Sequence, residues 1–211
     1  MNSSIVFDEH VADYEAWYDQ YPAVFKSEVE ALRDMLPERK SLTGIEVYLG
    51  SGRLAQALGI MEGVEPSAKM RTLAVRRGID VMNASAESLP YKDLKFDIVL
   101  ISLCKRFVHQ LAGSFKEAYR VLKNEGALVV GFLDNNSTLG RAVADHQADD
   151  NFYRSVAFYP VNTIVSAITQ AGFRHITITQ TLFGSLEEIT TMQVARRGYG
   201  EGSFVVLKAL K

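Results

Sequence analysis

A chain of 211 residues, 47% hydrophobic and 23% charged, has the length and composition of one soluble globular domain with a sizeable core. Its formal net charge of −2 supplies no basic field for nucleic acid, and no apolar run approaches the roughly 20 residues of a membrane-crossing helix. A single cysteine, Cys104, excludes an intramolecular disulfide, and four scattered histidines complete no zinc-type cluster, so no metal site is expected.

Met1 to Ile5 lacks the basic and apolar regions of a signal peptide, which points to the cytoplasm. Residues 1–40 read as helical. Pro22 suits a first helical position, and Phe25, Val29, Leu32 and Leu36 follow at helical steps until Pro37. Gly44 to Leu49 reads as a buried strand, followed by a turn at Gly50-Ser51-Gly52. A short helix through Leu54 and Leu58 leads to a second strand ending at Val64-Glu65. Ser67 to Arg77 is helical, with Gly78 as its stop. Asp80 to Met82 starts a third strand, and Phe96 to Ile101 is a strongly apolar fourth. Leu111, Phe115, Ala118 and Leu122 make one helix face, and Asn124-Glu125-Gly126 turns into a fifth strand, Ala127 to Leu133. An insertion spans residues 134–160. Pro160 then opens a helix carrying Ile164, Val165 and Ile168, stopped at Gly172. Two last strands follow, Phe173 to Thr179 and Ser203 to Leu210, with no helix between them.

Strands alternating with helices specify an α/β class with a doubly wound, mostly parallel sheet and helices on both faces. The final two strands lack the crossover that parallel pairing needs, so they form a reversed pair, and the sheet is expected to hold seven strands. Without repeats or low-complexity linkers, residues 1–211 read as one domain.

In such sheets ligands sit at the carboxyl ends of the strands, beside the first. Gly50 to Ala55 formally fits the dinucleotide pattern G-x-G-x-x-A. A nicotinamide cofactor would want an acid about 20 residues downstream, whereas Glu65 follows Gly50 by 15. The helical N-terminal forty residues and the reversed strand pair also speak against that cofactor.

Five segments in order carry a different resemblance. Glu46-Val47-Tyr48-Leu49-Gly50-Ser51-Gly52 resembles the acidic-x-Gly-x-Gly-x-Gly loop of the class I S-adenosylmethionine (SAM)-dependent methyltransferases, a Rossmann-like fold. Gly63-Val64-Glu65-Pro66-Ser67 is similar to that family's second signature, and Ser85-Ala86-Glu87-Ser88-Leu89-Pro90-Tyr91 to the segment beside the adenine. Phe96-Asp97-Ile98-Val99 matches the fourth-strand signature and Glu117 to Lys123 the helix after it. The resemblance implies SAM as methyl donor, S-adenosylhomocysteine as product and a small molecule as methyl acceptor.

It also implies a cofactor-binding set: Glu65 on the ribose hydroxyls with Pro66 beside it, Gly50, Ser51 and Gly52 in the loop, and Glu46 on the loop amides or the donor's amino group. Ser85, Ala86 and Glu87 would flank the adenine, and Ser102 would close the set past the fourth strand. Residues 1–40 would lid the cofactor through Tyr14, Trp17, Tyr18 and Tyr21, unless those rings only dock the helix. Residues 134–160, with Phe152, Tyr153, Phe158 and Tyr159, would shape the acceptor pocket. The loop from Gly184 to Gly202 could close over a ligand or serve as a plain connection. No catalytic residue is specified; His109 lies where a general base would be useful, or is simply an exposed loop histidine.

Three positions depart from the family. Tyr48 stands where the loop carries its first glycine; it could be a tolerated strand residue pointing into the core, or its ring could enter a neighbouring pocket, cap the cofactor or block the methionine site. Ser85 replaces a common Asp. Lys105-Arg106 places two cations after the fourth strand. Tyr48 and the cations motivate an alternative, a non-catalytic or cofactor-binding-impaired binding protein on the same fold.

Overall fold

The computed structural model describes residues 8–37, 42–102, 111–146 and 158–211. In chain order these form α1 (Val11–Gln20), α2 (Pro22–Arg33), β1 (Gly44–Val47), α3 (Arg53–Leu58), β2 (Glu62–Val64), α4 (Ala68–Arg76), β3 (Asp80–Met82) and β4 (Phe96–Ser102). There follow α5 (Leu111–Val121), β5 (Leu122–Leu133), α6 (Thr138–His146), α7 (Val161–Gln170), β6 (Arg174–Thr181), β7 (Arg196–Arg197) and β8 (Phe204–Leu210). The sheet order is β3-β2-β1-β4-β5-β8-β6-β7. Pairing is parallel from β3 to β5 and antiparallel where β8 meets β5 and β6.

The central strands are apolar at consecutive positions because both faces are covered. Val99 and Ile101 belong to one core and Leu100 between them to the other; Val205 and Leu207 are separated from Val206 in the same way. The first core takes Phe115 and Ala118 of α5 and Ile164 and Ile168 of α7. The second takes Val29 and Leu32 of α2, Leu54 of α3 and Ala74 of α4.

The α/β class, the parallel sheet and the reversed terminal pair agree with the reading from sequence. The strand count does not: β7, two residues long, pairs with Thr179 and Gln180 and makes an eighth strand where seven are expected. So short a strand has no alternation to detect. The insertion contains α6, which packs closely on the chain before it: a Cβ on Gly140 would lie 2.0 Å from the Asp134 carbonyl oxygen. Leu122 does not extend the helix face but opens β5, pairing with Phe96 before the register slips to Ile98 and Ala127.

Asp97 is a clasp at the end of the sheet where β4 begins. Its Oδ2 accepts from the Thr43 amide (2.9 Å), the Thr43 hydroxyl (2.7 Å) and Lys123 Nζ (2.8 Å). The Lys123 hydrogen bond, with Thr43 adding to it and partial burial opposing, holds the carboxyl at about 2 against an ordinary 3.8. An acid whose pKa is lowered by folding stabilises the fold above its ordinary value and stops doing so as pH falls through the lowered one. Asp97→Asn is therefore expected to cost about 1 kcal/mol at neutral pH, less than the roughly 1.5–3 kcal/mol of a buried bond to a charged group, because Lys123 is 42% exposed. The gap in melting temperature between wild type and variant should close between about pH 4 and pH 2; a gap that persists at pH 2 would contradict this role.

Candidate functional site

Val47, Val64, Met82 and Ile101 lie in one row across β1, β2, β3 and β4. Apart from Glu46, one residue before that row, the predicted site residues fall just beyond it, at the carboxyl ends of the parallel strands where the sheet order reverses beside β1. Glu46 is 1% exposed within β1. Tyr48 follows β1, Glu65 and Pro66 follow β2, Ser85 to Glu87 follow β3, and Ser102 ends β4.

The loop after β1 has a repeating backbone conformation. Tyr48 (φ 59°), Gly50 (φ 61°) and Gly52 (φ 84°) are all left-handed, at the three positions where the acidic-x-Gly-x-Gly-x-Gly loop carries glycine. Tyr48 thus keeps the backbone course that glycine allows, which is also why β1 stops at Val47 rather than running to Leu49. At Gly52 even the space demands glycine: a Cβ would lie 2.5 Å from Ile79 Cδ1 and 3.3 Å from Ala74 Cα.

The Tyr48 ring is 8% exposed and sits in the first core, in the same cluster as Ala86 and Phe115. Its hydroxyl donates to Glu87 Oε1 at 3.2 Å, and the Ser114 hydroxyl reaches the same oxygen at 3.4 Å. The ring thereby ties the loop after β1 to the segment after β3 and to α5.

Glu65 joins the loop to the second signature. Its Oε2 accepts from the Gly50 amide and its Oε1 from the Ser67 amide, each at 2.9 Å, and the residue is fully buried. Ser67 caps α4 by accepting from the Met70 amide at 3.2 Å. The segment after β3 is braced from α5. Glu117 accepts from the Leu89 amide at 2.8 Å, while Arg120 donates to the Leu89 and Tyr91 carbonyls at 3.0 and 2.8 Å. Arg120 also pairs with Glu117, which holds that carboxyl below its usual range.

Sequence reasoning missed a charge cluster above the loop. Glu15 of α1 accepts from Arg53 Nε at 3.0 Å and from Arg77 at 2.5 Å, and Arg77 also donates to the Ser51 carbonyl at 2.8 Å. Arg53 further pairs with Asp19 at 3.2 Å and lies 5.1 Å over the Tyr18 ring. Burial alone would raise the Glu15 carboxyl; the buried Ser51 hydroxyl beside it and the two arginines outweigh burial and leave it lowered. Asp8 accepts from the Ser67 hydroxyl at 2.5 Å and from the Lys69 amide at 3.0 Å. The one sequence signal was the placement of Glu15 and Asp19 four residues apart on one side of a helix. Tyr14 and Tyr18 dock on Met70 and share a hydroxyl–hydroxyl bond of 2.9 Å, whereas Trp17 packs between this cluster and the second core.

His109, Cys104, Lys105, Arg106, Phe152 and Tyr153 lie outside the described residues. Tyr159 packs on the first core, and burial raises its phenol. A cavity of about 560 Å³ opens at the opposite end of the sheet, lined among others by Asp97, Glu125, Arg174, His175 and Lys208, and includes none of the predicted site residues. Among the described residues no helix is long and apolar enough to cross a membrane.

The donor set fits SAM. It combines three left-handed loop positions, an acid fastened at the end of β2 and a fully buried Ala86 after β3. The two arginines that touch the loop are both engaged by Glu15, so neither is left to oppose a sulfonium.

Comparison with known proteins agrees. Residues 45–130 match the family described as "Methyltransferase domain". The crystal structure of a SAM-dependent methyltransferase from Thermotoga maritima, described as a possible histamine N-methyltransferase, superimposes with a TM-score of 0.93 at 36% identity over 98% of both chains. The chain belongs to the class I SAM-dependent methyltransferases. This methyltransferase is also 35% identical, over 98% of each chain, to an uncharacterized protein of Methanocaldococcus jannaschii. A Haloferax volcanii chain solved in complex with the Trm112 methyltransferase activator shares the fold alone, with a TM-score of 0.70 at 17% identity over 97% of this chain and 96% of that one. The protein is a SAM-dependent enzyme, and the non-catalytic alternative raised by Tyr48 is not favoured.

Proposed function

We propose that this methyltransferase transfers the methyl group of SAM to a small-molecule nucleophile by in-line displacement. The observation that carries the reading is the Gly50 amide fastened to Glu65, which joins the loop after β1 to the acid after β2 at the switch point of the sheet. SAM supplies a methyl group already activated by its sulfonium.

The chain's own part is positioning, which can lower a barrier by several kcal/mol, on the order of 7–11 at best, without a dedicated catalytic group. The Glu65 carboxylate, held in place by the Gly50 and Ser67 amides, would accept from the ribose hydroxyls. Gly50, Ser51 and Gly52 would face the methionine portion with Glu46 beneath them and Pro66 alongside. Ser85, Ala86 and Glu87 would flank the adenine, with Ser102 at the end of β4. The acceptor is read as a small molecule because the net charge of −2 provides no basic field for nucleic acid. Since the Thermotoga maritima protein is described as a possible histamine N-methyltransferase, small amines lead the acceptor panel.

Calorimetric titration of the purified protein with SAM and S-adenosylhomocysteine tests the reading, with micromolar affinity expected for both. Folded protein that binds neither would refute it. Transfer of labelled methyl to members of the amine panel would then identify the acceptor class.

A further inference from the structure

The loop that must meet the methyl donor is closed to solvent in this conformation. Tyr48 to Gly52 are all buried, as is Glu65. The N-terminal segment touches this region repeatedly: Asp8 on Ser67 and the Lys69 amide, Glu15 on Arg53 and Arg77, and Asp19 on Arg53.

We propose that Glu15 is a positioning residue for the methyl donor, latching α1 over the glycine loop through Arg53 and Arg77 and so holding the bound donor in place. Three features support the assignment. Arg77 contacts both sides of the closure at once, giving one guanidinium nitrogen to Glu15 at 2.5 Å and another to the Ser51 carbonyl at 2.8 Å. Arg77 is therefore the link between α1 and the loop backbone. Arg53 is the first residue of α3, directly after Gly52, so its bonds to Glu15 also hold the exit of the loop. The three side chains are only 20–23% exposed, which spares the pairs the solvent screening that makes surface pairs nearly worthless.

The N-terminal segment is also tied to both neighbouring helices: Tyr14 and Tyr18 pack with Met70 of α4, Tyr18 meets Phe25 of α2 with ring centroids 5.0 Å apart, and Asp8 accepts from the Lys69 amide at the start of α4. Release of the product then requires the ion pairs of Glu15 to part, so the latch sets the dissociation rate of the ligand and its loss acts mainly there.

The inference rests on the reading of this site as the SAM site, and the experiment separates the two. SAM association and dissociation rates are measured for wild type, Glu15→Gln, Arg77→Lys and, as a control, Glu30→Gln, which removes an exposed pair with Arg33 on α2. Amide exchange of residues 11–20 is followed with and without SAM. Arg77→Lys keeps the charge but, with one ammonium, cannot span Glu15 and the Ser51 carbonyl as the guanidinium fork does. The latch predicts dissociation about tenfold faster in Glu15→Gln and Arg77→Lys, wild-type rates in Glu30→Gln, and SAM protection of residues 11–20 in wild type that is lost in both latch variants. If wild type binds no SAM, the functional reading itself fails. If wild type binds SAM and both variants release it at the wild-type rate, the latch is wrong. Should Glu15→Gln fail to fold, Arg77→Lys decides by the same two readouts.

Discussion

Glu65→Gln is expected to lower SAM affinity by 30-fold or more and to destabilise the protein in the same step. Glu65 is fully buried, and each oxygen takes one backbone amide, that of Gly50 and that of Ser67. A glutamine keeps the shape but offers one acceptor oxygen and turns an NH2 toward the other amide, so two donors face each other without water. Losing a bond to a charged acceptor and stranding a buried donor costs about 2–4 kcal/mol, which in a chain of this size lowers the melting temperature by roughly 5–15 °C. The same carboxylate is the proposed partner of the ribose hydroxyls, and two charge-assisted bonds at about 1.5–3 kcal/mol each, partly offset by solvation, set the affinity loss. Calorimetry and thermal melting separate the roles. A lower melting temperature with unchanged SAM affinity would leave Glu65 a clamp for the loop and remove it from the cofactor site.

Tyr48→Gly is expected to destabilise the fold by about 2–3 kcal/mol, although it restores the residue typical of the loop. Two effects oppose each other. A left-handed tyrosine costs about 1–2 kcal/mol of backbone strain, which glycine relieves. Against that, the ring is 8% exposed within the first core, and deleting a buried aromatic side chain costs about 3–5 kcal/mol. Core burial wins. Tyr48→Phe keeps the ring and loses the bond to Glu87, a change of about 0.5–1.5 kcal/mol, and should bind SAM within about threefold of wild type. Chemical denaturation of the three proteins orders them, and a glycine variant as stable as wild type would show that the packing of the ring does no more than offset the backbone strain. If that variant instead bound SAM more than tenfold more tightly, the ring would be intruding on the methionine site.

Much of the fold was legible because the responsible forces are local. Continuous apolar runs at Ile98–Ile101 and Ala127–Leu133 need two covered faces, and the switch from helical spacing to such runs marks the strand starts. The places where the reading failed lack a local signal. Val121 and Leu122 are both apolar, yet one ends α5 and the other begins β5. Arg196–Arg197 is a strand only because β6 lies beside it. The helix Thr138–His146 sat within a stretch read as an insertion, and its position follows from the close contact of Gly140 with Asp134.

For the site, sequence alone determined the alternation of strands and helices, the loop at Gly50 and Gly52, and an acid at the end of the second strand. Each depends on a residue's own backbone freedom or on neighbours within a turn or two. Tertiary structure decided the rest: that the Tyr48 ring turns into the core toward Glu87, that Glu65 spends both oxygens on amides, and that Glu15 sits between two arginines. Those arginines lie 38 and 62 residues away in sequence. Charge pairs at such separations leave no periodic trace in a sequence, because only folding brings their elements together and removes the water that would otherwise screen them.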